Sequence, residues 1–266
     1  MVTGNDIFSY MNMLAPLNYQ MDFDNSGFLV GDRSTEIHRV VVTLDITEDV
    51  ITEAELLGAE LIVSHHPLIF HKLSGVCADD PTGRKIMRLV RSGISAICMH
   101  TNLDIAEGGV NDALMAALDA SVTDILEPAG TAQNGTPLGC GRIGYLKQEV
   151  PLEAFLALVT DRLHVNGVRY VSGGKPVHHI AVCGGSGGSM LELAHAAGCD
   201  TLLTADVKYD RFLMAQELGV NLIDADHFCT ENVVVPKLAE ALHAQFPELA
   251  ITVSRLRQTA SFYAAR

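Results

Sequence analysis

Five residues have the types and spacing that bind divalent metal ions. They are His65 and His66 in Ser64-His65-His66-Pro67, Asp104 closing Thr101-Asn102-Leu103-Asp104, and His227 with Glu231 in an H-x-x-x-E pair. Neutral imidazole and carboxylate are the donor set for zinc, iron, manganese and related ions. Five such groups exceed what one tetrahedral catalytic site needs, so the set predicts two ions. Adjacent residues of an extended chain point to opposite sides, which predicts that His65 and His66 serve different ions. Glu231, one helical turn beyond His227, is placed to bridge them, with the ions then about 3.5–4 Å apart. A single histidine is more often structural than ligating, and His178-His179 shows that a pair alone means little. A His-His-Pro break, an Asp and an H-x-x-x-E at three separate strand ends are harder to explain as packing, because polar groups there need partners.

The elements that must position these residues follow from apolar patterning. A helical stretch over 4–14 and a turn at Asp24-Asn25-Ser26-Gly27 precede a strand at 39–45. Thr47 is placed to cap a helix reaching about residue 59, a strand follows at 61–64, a helix over about 82–92 leads to a strand at 94–98, and a third helix follows Gly108-Gly109. Short continuous apolar strands alternating with helices predict parallel strands covered on both faces. The segment 125–176 departs from this rhythm, with Gly-rich turns, a strand at 141–146, a helix opened by Pro151 and reaching about 163, and a strand at 168–171. The alternation resumes with strands at 180–183, 201–203 and 220–223, separated by helices from Ser189 and from about Lys208, and ends in a helix reaching His243. The expected fold is therefore α/β, with two βαβ-type halves of mainly parallel strands flanked by helices and a small central α/β lobe. One domain spans 1–266, with sub-regions 1–124, 125–176 and 177–266. Strand carboxyl ends collect functional residues in such sheets, and the His65-His66, Asp104 and His227 motifs all fall there.

Composition narrows the function classes. With 48% hydrophobic and 19% charged residues among 266, the chain has the balance of a folded globular protein. A formal net charge of −14 without clustered Lys and Arg argues against nucleic acid as a partner. There is no basic-then-apolar leader and no apolar run long enough to cross a bilayer, so no membrane association and a cytoplasmic location are expected. The six cysteines are scattered without a CxxC pair and are expected to be reduced; Cys229, between two candidate ligands, is the one able to coordinate zinc. The loop Cys183-Gly-Gly-Ser-Gly-Gly-Ser189 resembles a phosphate cradle, but it departs from G-x-G-x-x-G and lacks a P-loop Lys, so a tight turn is an equal reading. His100, and Asp206 with Lys208, lie at further strand ends and are expected to orient ligands or contact substrate.

Together, Asp24-Asn25 with Gly27 and Gly31, S-H-H-P-L-I-F at 64–70, H-T-N-L-D at 100–104, G-R-I-G at 141–144, C-G-G-S-G at 183–187, T-A-D-V-K-Y at 204–209 and D-A-D-H-F-C-T-E at 224–231 carry a family resemblance. The chain resembles the Nif-three-like (NGG-interacting factor three) family, whose members are also called GTP cyclohydrolase one type two homologues. The resemblance implies an α/β fold, a dinuclear metal centre and a toroidal homohexamer assembled from dimers or trimers. It further implies that His66 and Asp104 hold one ion, His65 and His227 the other, and Glu231 both. Two departures stand out: Phe23 where relatives often carry Trp, and Asp226 where they usually have Gly. Asp226 is expected to accept from an imidazole N–H or to face solvent rather than to add a sixth ligand. The function expected is a metal-dependent hydrolase of a small molecule, with two divalent cations per subunit (zinc, iron or manganese) and a nucleotide such as GTP suggested by the family's name. The alternative is a non-enzymatic metal store, chaperone or regulatory scaffold.

Overall fold

A computed structural model describes residues 1–132 and 135–256. In chain order its main elements are α1 (Gly4–Leu14), β1 (Gly27–Val30), β2 (Arg39–Thr43), α2 (Glu48–Leu57), β3 (Leu61–Ser64), α3 (Pro81–Arg91), β4 (Ser95–Cys98), α4 (Thr101–Ile105), α5 (Val110–Ala117), β5 (Ala120–Thr131) and β6 (Pro137–Val150). There follow α6 (Leu152–Leu163), β7 (Arg169–Val171), β8 (Val177–Ser186), α7 (Leu191–Ala196), β9 (Thr201–Ala205), α8 (Tyr209–Leu218), β10 (Asn221–Asp224), α9 (His227–Glu231), α10 (Val234–Gln245) and β11 (Ala250–Val253). The chain divides into two compact units, one of Met1–Ala106 with the stretch beginning at Val235, the other of Glu107–Val234.

The first unit is built on a five-stranded sheet in the order β1-β4-β3-β2-β11. All its pairings are parallel except that of β1 with β4. Val40, Val41, Val42, Leu61, Ile62, Val63 and Ile97 are all essentially inaccessible to solvent. Burial on both faces explains why these strands read as continuous apolar runs rather than alternating ones. Val41, Ile62 and Ala96 share one core cluster with Val50, Ile51 and Ala54 of α2 and with Ile86 and Leu89 of α3. Thr47 does cap α2, its hydroxyl accepting from the Val50 N–H, and Asp80 caps α3, which opens on Pro81. The expected alternation of strands and helices holds here. The edge strands β1 and β11 were not foreseen.

The second unit carries a six-stranded mixed sheet in the order β5-β6-β8-β9-β10-β7. β8, β9 and β10 are parallel, whereas β5, β6 and β7 join antiparallel. The segment expected to form a lobe of its own instead extends this sheet. The stretch from residue 125, expected to form Gly-rich turns, largely continues as strand: β5, of 12 residues, pairs along β6, which holds Gly139, Gly141 and Gly144, while residues 133–134 lie outside the described residues. Most β5 side chains face solvent and only Leu126 is buried, so the apolar alternation that marks a strand is missing from its sequence. Phe155 and Val159 of α6 pack with Val177, Ile180 and Val182 of β8 and with Leu203 and Ile223 in the core of this unit. The helix expected from Ser189 is one 3-10 turn followed by the short α7. No helix among the described residues is long and apolar enough to cross a membrane.

Candidate metal centre

In the first unit, β3 stops at Ser64, whose hydroxyl donates to the His66 carbonyl at 2.8 Å. The His65 and His66 N–H groups donate to the Thr43 and Leu44 carbonyls at 3.2 and 2.9 Å. Beyond the strand end the chain bends, and the two rings come to 5.0 Å between centroids. Strict alternation of an extended chain therefore does not apply to this pair. His65 is buried, and its Nδ1 lies 2.8 Å from the Met99 carbonyl. A carbonyl only accepts, so Nδ1 carries the proton and Nε2 presents its lone pair. That Nε2 is 3.7 Å from Asp104 Oδ1. Two donors that share an ion at bonds of about 2.1 Å lie roughly 3.4 Å apart in tetrahedral geometry. The resemblance pairs Asp104 with His66, but the fold sets Asp104, in the first turn of α4, beside His65.

Behind each of the other rings in this unit stands a carboxylate. His66 Nδ1 is 2.7 Å from Asp45 Oδ1, and His100 Nδ1 is 2.7 Å from Asp24 Oδ1. The His100 ring lies 5.3 and 5.5 Å from those of His65 and His66. One ring nitrogen from each of the three falls within 4.8 Å of the others. Asp24 also accepts from the N–H and hydroxyl of Thr101 and from the Ser26 hydroxyl. Burial favours the protonated acid, yet the hydrogen bonds from His100 and Thr101 outweigh it and hold the Asp24 carboxyl well below the usual range.

In the second unit, β10 ends at Asp224, and Asp226 sits in the left-handed region at φ 69°. Its carboxylate accepts from the Cys229 N–H at 3.1 Å and so caps α9. This cap gives the departure from the family pattern a role in the fold. His227 opens α9 and Glu231 closes it, which brings Nε2 to 3.1 Å from Glu231 Oε2. His227 Nδ1 lies 2.6 Å from Asp206 Oδ2, just past the end of β9. Burial disfavours the imidazolium, but the hydrogen bonds and charges of Glu231 and Asp206 overcome it and carry the His227 pKa up to about 9. The two carboxylates thus hold a cation at this ring, a proton when no metal ion is there.

The Gly-rich loop after β8 is explained by its contact with Glu231. Gly185 has φ 63°, and a β-carbon on it would lie 2.2 Å from Glu231 Oε1 and 3.2 Å from His227 Cε1. The N–H groups of Gly184, Gly185 and Gly187 donate to Asn111 Oδ1, Thr230 Oγ1 and Thr204 Oγ1 at 2.9, 3.0 and 2.8 Å. Committed inside the protein, they do not form a phosphate cradle, and the tight-turn reading holds. Cys229 is buried with its sulfur 3.9 Å from the His164 carbonyl. His179 stacks on Tyr145 at 4.3 Å and directs Nδ1 to the Gly198 carbonyl, the behaviour of a structural histidine. Of the predicted donors, the fold gathers His65, His66 and Asp104 in the first unit and His227 with Glu231 in the second. Asp206 orients His227 as anticipated. The matching roles of Asp24 and Asp45 were missed, although each stands in a turn or at a strand end.

Acceptors behind the Nδ1 atoms are the usual companions of metal-bound histidine, and clusters of these histidines and carboxylates have the chemistry to hold a metal ion. A family model described as Duf34/NIF3 (NGG1p interacting factor 3) matches residues 2–260. The chain belongs to the NIF3 family. A GTP cyclohydrolase 1 type 2 homolog of Clostridium perfringens is 35% identical to this NIF3 chain over 237 residues, covering 89% of each protein. A hypothetical protein of Staphylococcus aureus has a similar structure, with a TM-score of 0.92 and 27% identity over 98% of this chain and 99% of that one. A Bacillus cereus protein related to NIF3 matches with a TM-score of 0.90 and 25% identity over 99% of this chain and 100% of the other. The NIF3 membership and the mixed α/β fold agree with the resemblance read from the motifs.

Proposed function

We propose that this NIF3 chain holds two divalent metal ions through His65, His66, Asp104, His227 and Glu231 and hydrolyses a small substrate there. The observation that carries the reading lies behind the rings. Nδ1 of His65, His66 and His227 is held by the Met99 carbonyl, Asp45 and Asp206 respectively, which turns each Nε2 into the donor. The closeness of His65 to Asp104 supports placing those two donors on one ion. Divalent ions of this kind supply Lewis acidity, which polarises substrate oxygens and acidifies water near neutral pH. The chain's own contribution is to fix the donors: Asp45 and Asp206 orient imidazoles, Asp226 caps the helix that carries His227 and Glu231, and Gly185 lets the neighbouring loop close on Glu231.

The name shared by relatives such as the Clostridium perfringens protein supports a nucleotide as the substrate class. Zinc, iron or manganese suits the donor set. A homohexamer, implied by the resemblance, belongs to the same proposal and is checked by the mass of the assembly in solution. To test the activity, protein loaded with each metal is assayed against GTP, other nucleotides and phosphoesters, alongside Glu231→Gln. The expected result is turnover of one substrate class by wild type and its loss in the variant. Full metal loading with no turnover of any of them would favour the non-enzymatic store, chaperone or scaffold.

A further inference from the structure

We propose that His100 is a third imidazole donor, and that with His65 and His66 it forms a three-histidine face on which the first unit holds one divalent ion without His227 or Glu231. The inference rests on the reading of His65 and His66 as ligands and goes beyond the five donors named above.

Three observations carry it. The first is convergence: the His100 ring is 5.3 Å from His65 and 5.5 Å from His66, about as close as those two are to each other, and one ring nitrogen of each lies within 4.8 Å of the others. Ring movements of roughly 0.7 Å each would bring those nitrogens to the spacing of tetrahedral donors on bonds of about 2.1 Å. The second is orientation. His65 Nδ1 donates to the Met99 carbonyl, while His66 and His100 Nδ1 meet Asp45 and Asp24. In the neutral rings each proton then sits on Nδ1, which leaves Nε2 of each ring as the atom able to bind a metal ion. The third is the care with which His100 is held. Its N–H donates to the Ser26 hydroxyl at 3.1 Å, and the carboxylate behind its ring has a fully shielded side chain and is anchored by Ser26 and Thr101.

The plainer view is that His100 is a structural histidine satisfied by Asp24. His179 shows how such a residue looks in this fold: its Nδ1 meets only a backbone carbonyl and its ring stacks on Tyr145. His100 instead has a carboxylate behind Nδ1, as His66 and His227 do, and packs against two other imidazoles. Three histidines with an open position are a known ligand set for zinc.

The test uses the full metal-free chain titrated with cobalt(II), followed by its absorption, with circular dichroism as the check on folding. The double variant His227→Ala/Glu231→Gln is expected to bind one cobalt per chain, and adding His100→Ala should weaken that binding by about tenfold or more. A double variant that binds no cobalt, or a Kd unchanged on adding His100→Ala, overturns the proposal. Because His100→Ala could disturb folding, nitrogen-15 spectra of histidine rings in wild type titrated with zinc give a second reading. The His100 Nε2 resonance should move together with those of His65 and His66, and a His100 resonance that stays in place while the others move also overturns it. Failure of the dinuclear reading looks different: wild type then takes up a single ion, and His100→Ala still weakens it.

Discussion

Gly185 has no room for a β-carbon, because Glu231 Oε1 occupies the place where one would go. Gly185→Ala should therefore act twice. A left-handed alanine costs about 1–2 kcal/mol, and the added methyl displaces the carboxylate proposed to bridge the ions. The expected outcome is a lower unfolding midpoint for the metal-free chain together with weaker metal binding, measured by calorimetry and titration. Asp206→Asn separates these effects, since it leaves the backbone alone and changes only the acceptor behind His227. Its metal affinity should fall about 10–100-fold, with no backbone strain added. The donors themselves were legible in the sequence because histidines and carboxylates at strand ends are conspicuous. Asp24, Asp45 and the purpose of Gly185 were not, because each acts on a residue far away in the chain and only the fold sets which one. Asp226 was expected to accept from an imidazole N–H or to face solvent, and its role as a helix cap, with the backbone at φ 69° and the Cys229 N–H as donor, had no signal beyond its place before His227.

Between elements, α2 and α3 are clamped by Arg88, which reaches Glu48 Oε2 at 3.0 Å and Glu55 Oε1 at 3.0 Å. The hydrogen bonds from Arg88 hold both carboxyls below their ordinary value of 4.5. A carboxyl whose pKa is lower folded than unfolded adds stability above the unfolded value and loses it as pH falls through the folded one. Wild type should thus lose stability relative to Arg88→Gln as pH drops below about 4.5, by no more than about 1 kcal/mol because these groups are solvent-screened, and less in high salt. Urea unfolding of the two proteins from pH 7 to pH 3 checks this. A pair shielded on its arginine side behaves differently. Arg142, from β6, holds Asp112 of α5 through Nε and Nη2, both at 2.9 Å, and is almost wholly shielded. Arg142→Ala leaves that carboxylate without its counter-charge and should cost about 3–5 kcal/mol, read from the same denaturation curves. Legibility at this scale followed burial. Strands β2, β3, β4, β9 and β10 announce themselves because both faces are apolar, whereas β5, with Thr, Asp, Glu, Pro and Gly along its solvent-facing length, looks like a series of turns.

At the scale of the molecule, the chain carries a net charge of −14, and its proposed metal ligands concentrate imidazole and carboxylate at strand ends in each unit. Ions that bind the folded chain and not the unfolded one stabilise it by about 2.7 kcal/mol at a hundredfold excess over Kd. Chelation should therefore lower the thermal midpoint, and re-addition of zinc or manganese should restore it. Whether a dinuclear centre forms is read from the metal content of the purified, reconstituted chain, measured by elemental analysis against protein concentration. Two divalent ions per chain are expected in wild type and fewer in Glu231→Gln. A wild type that holds none, or a Glu231→Gln chain that keeps the full complement, would contradict the dinuclear centre.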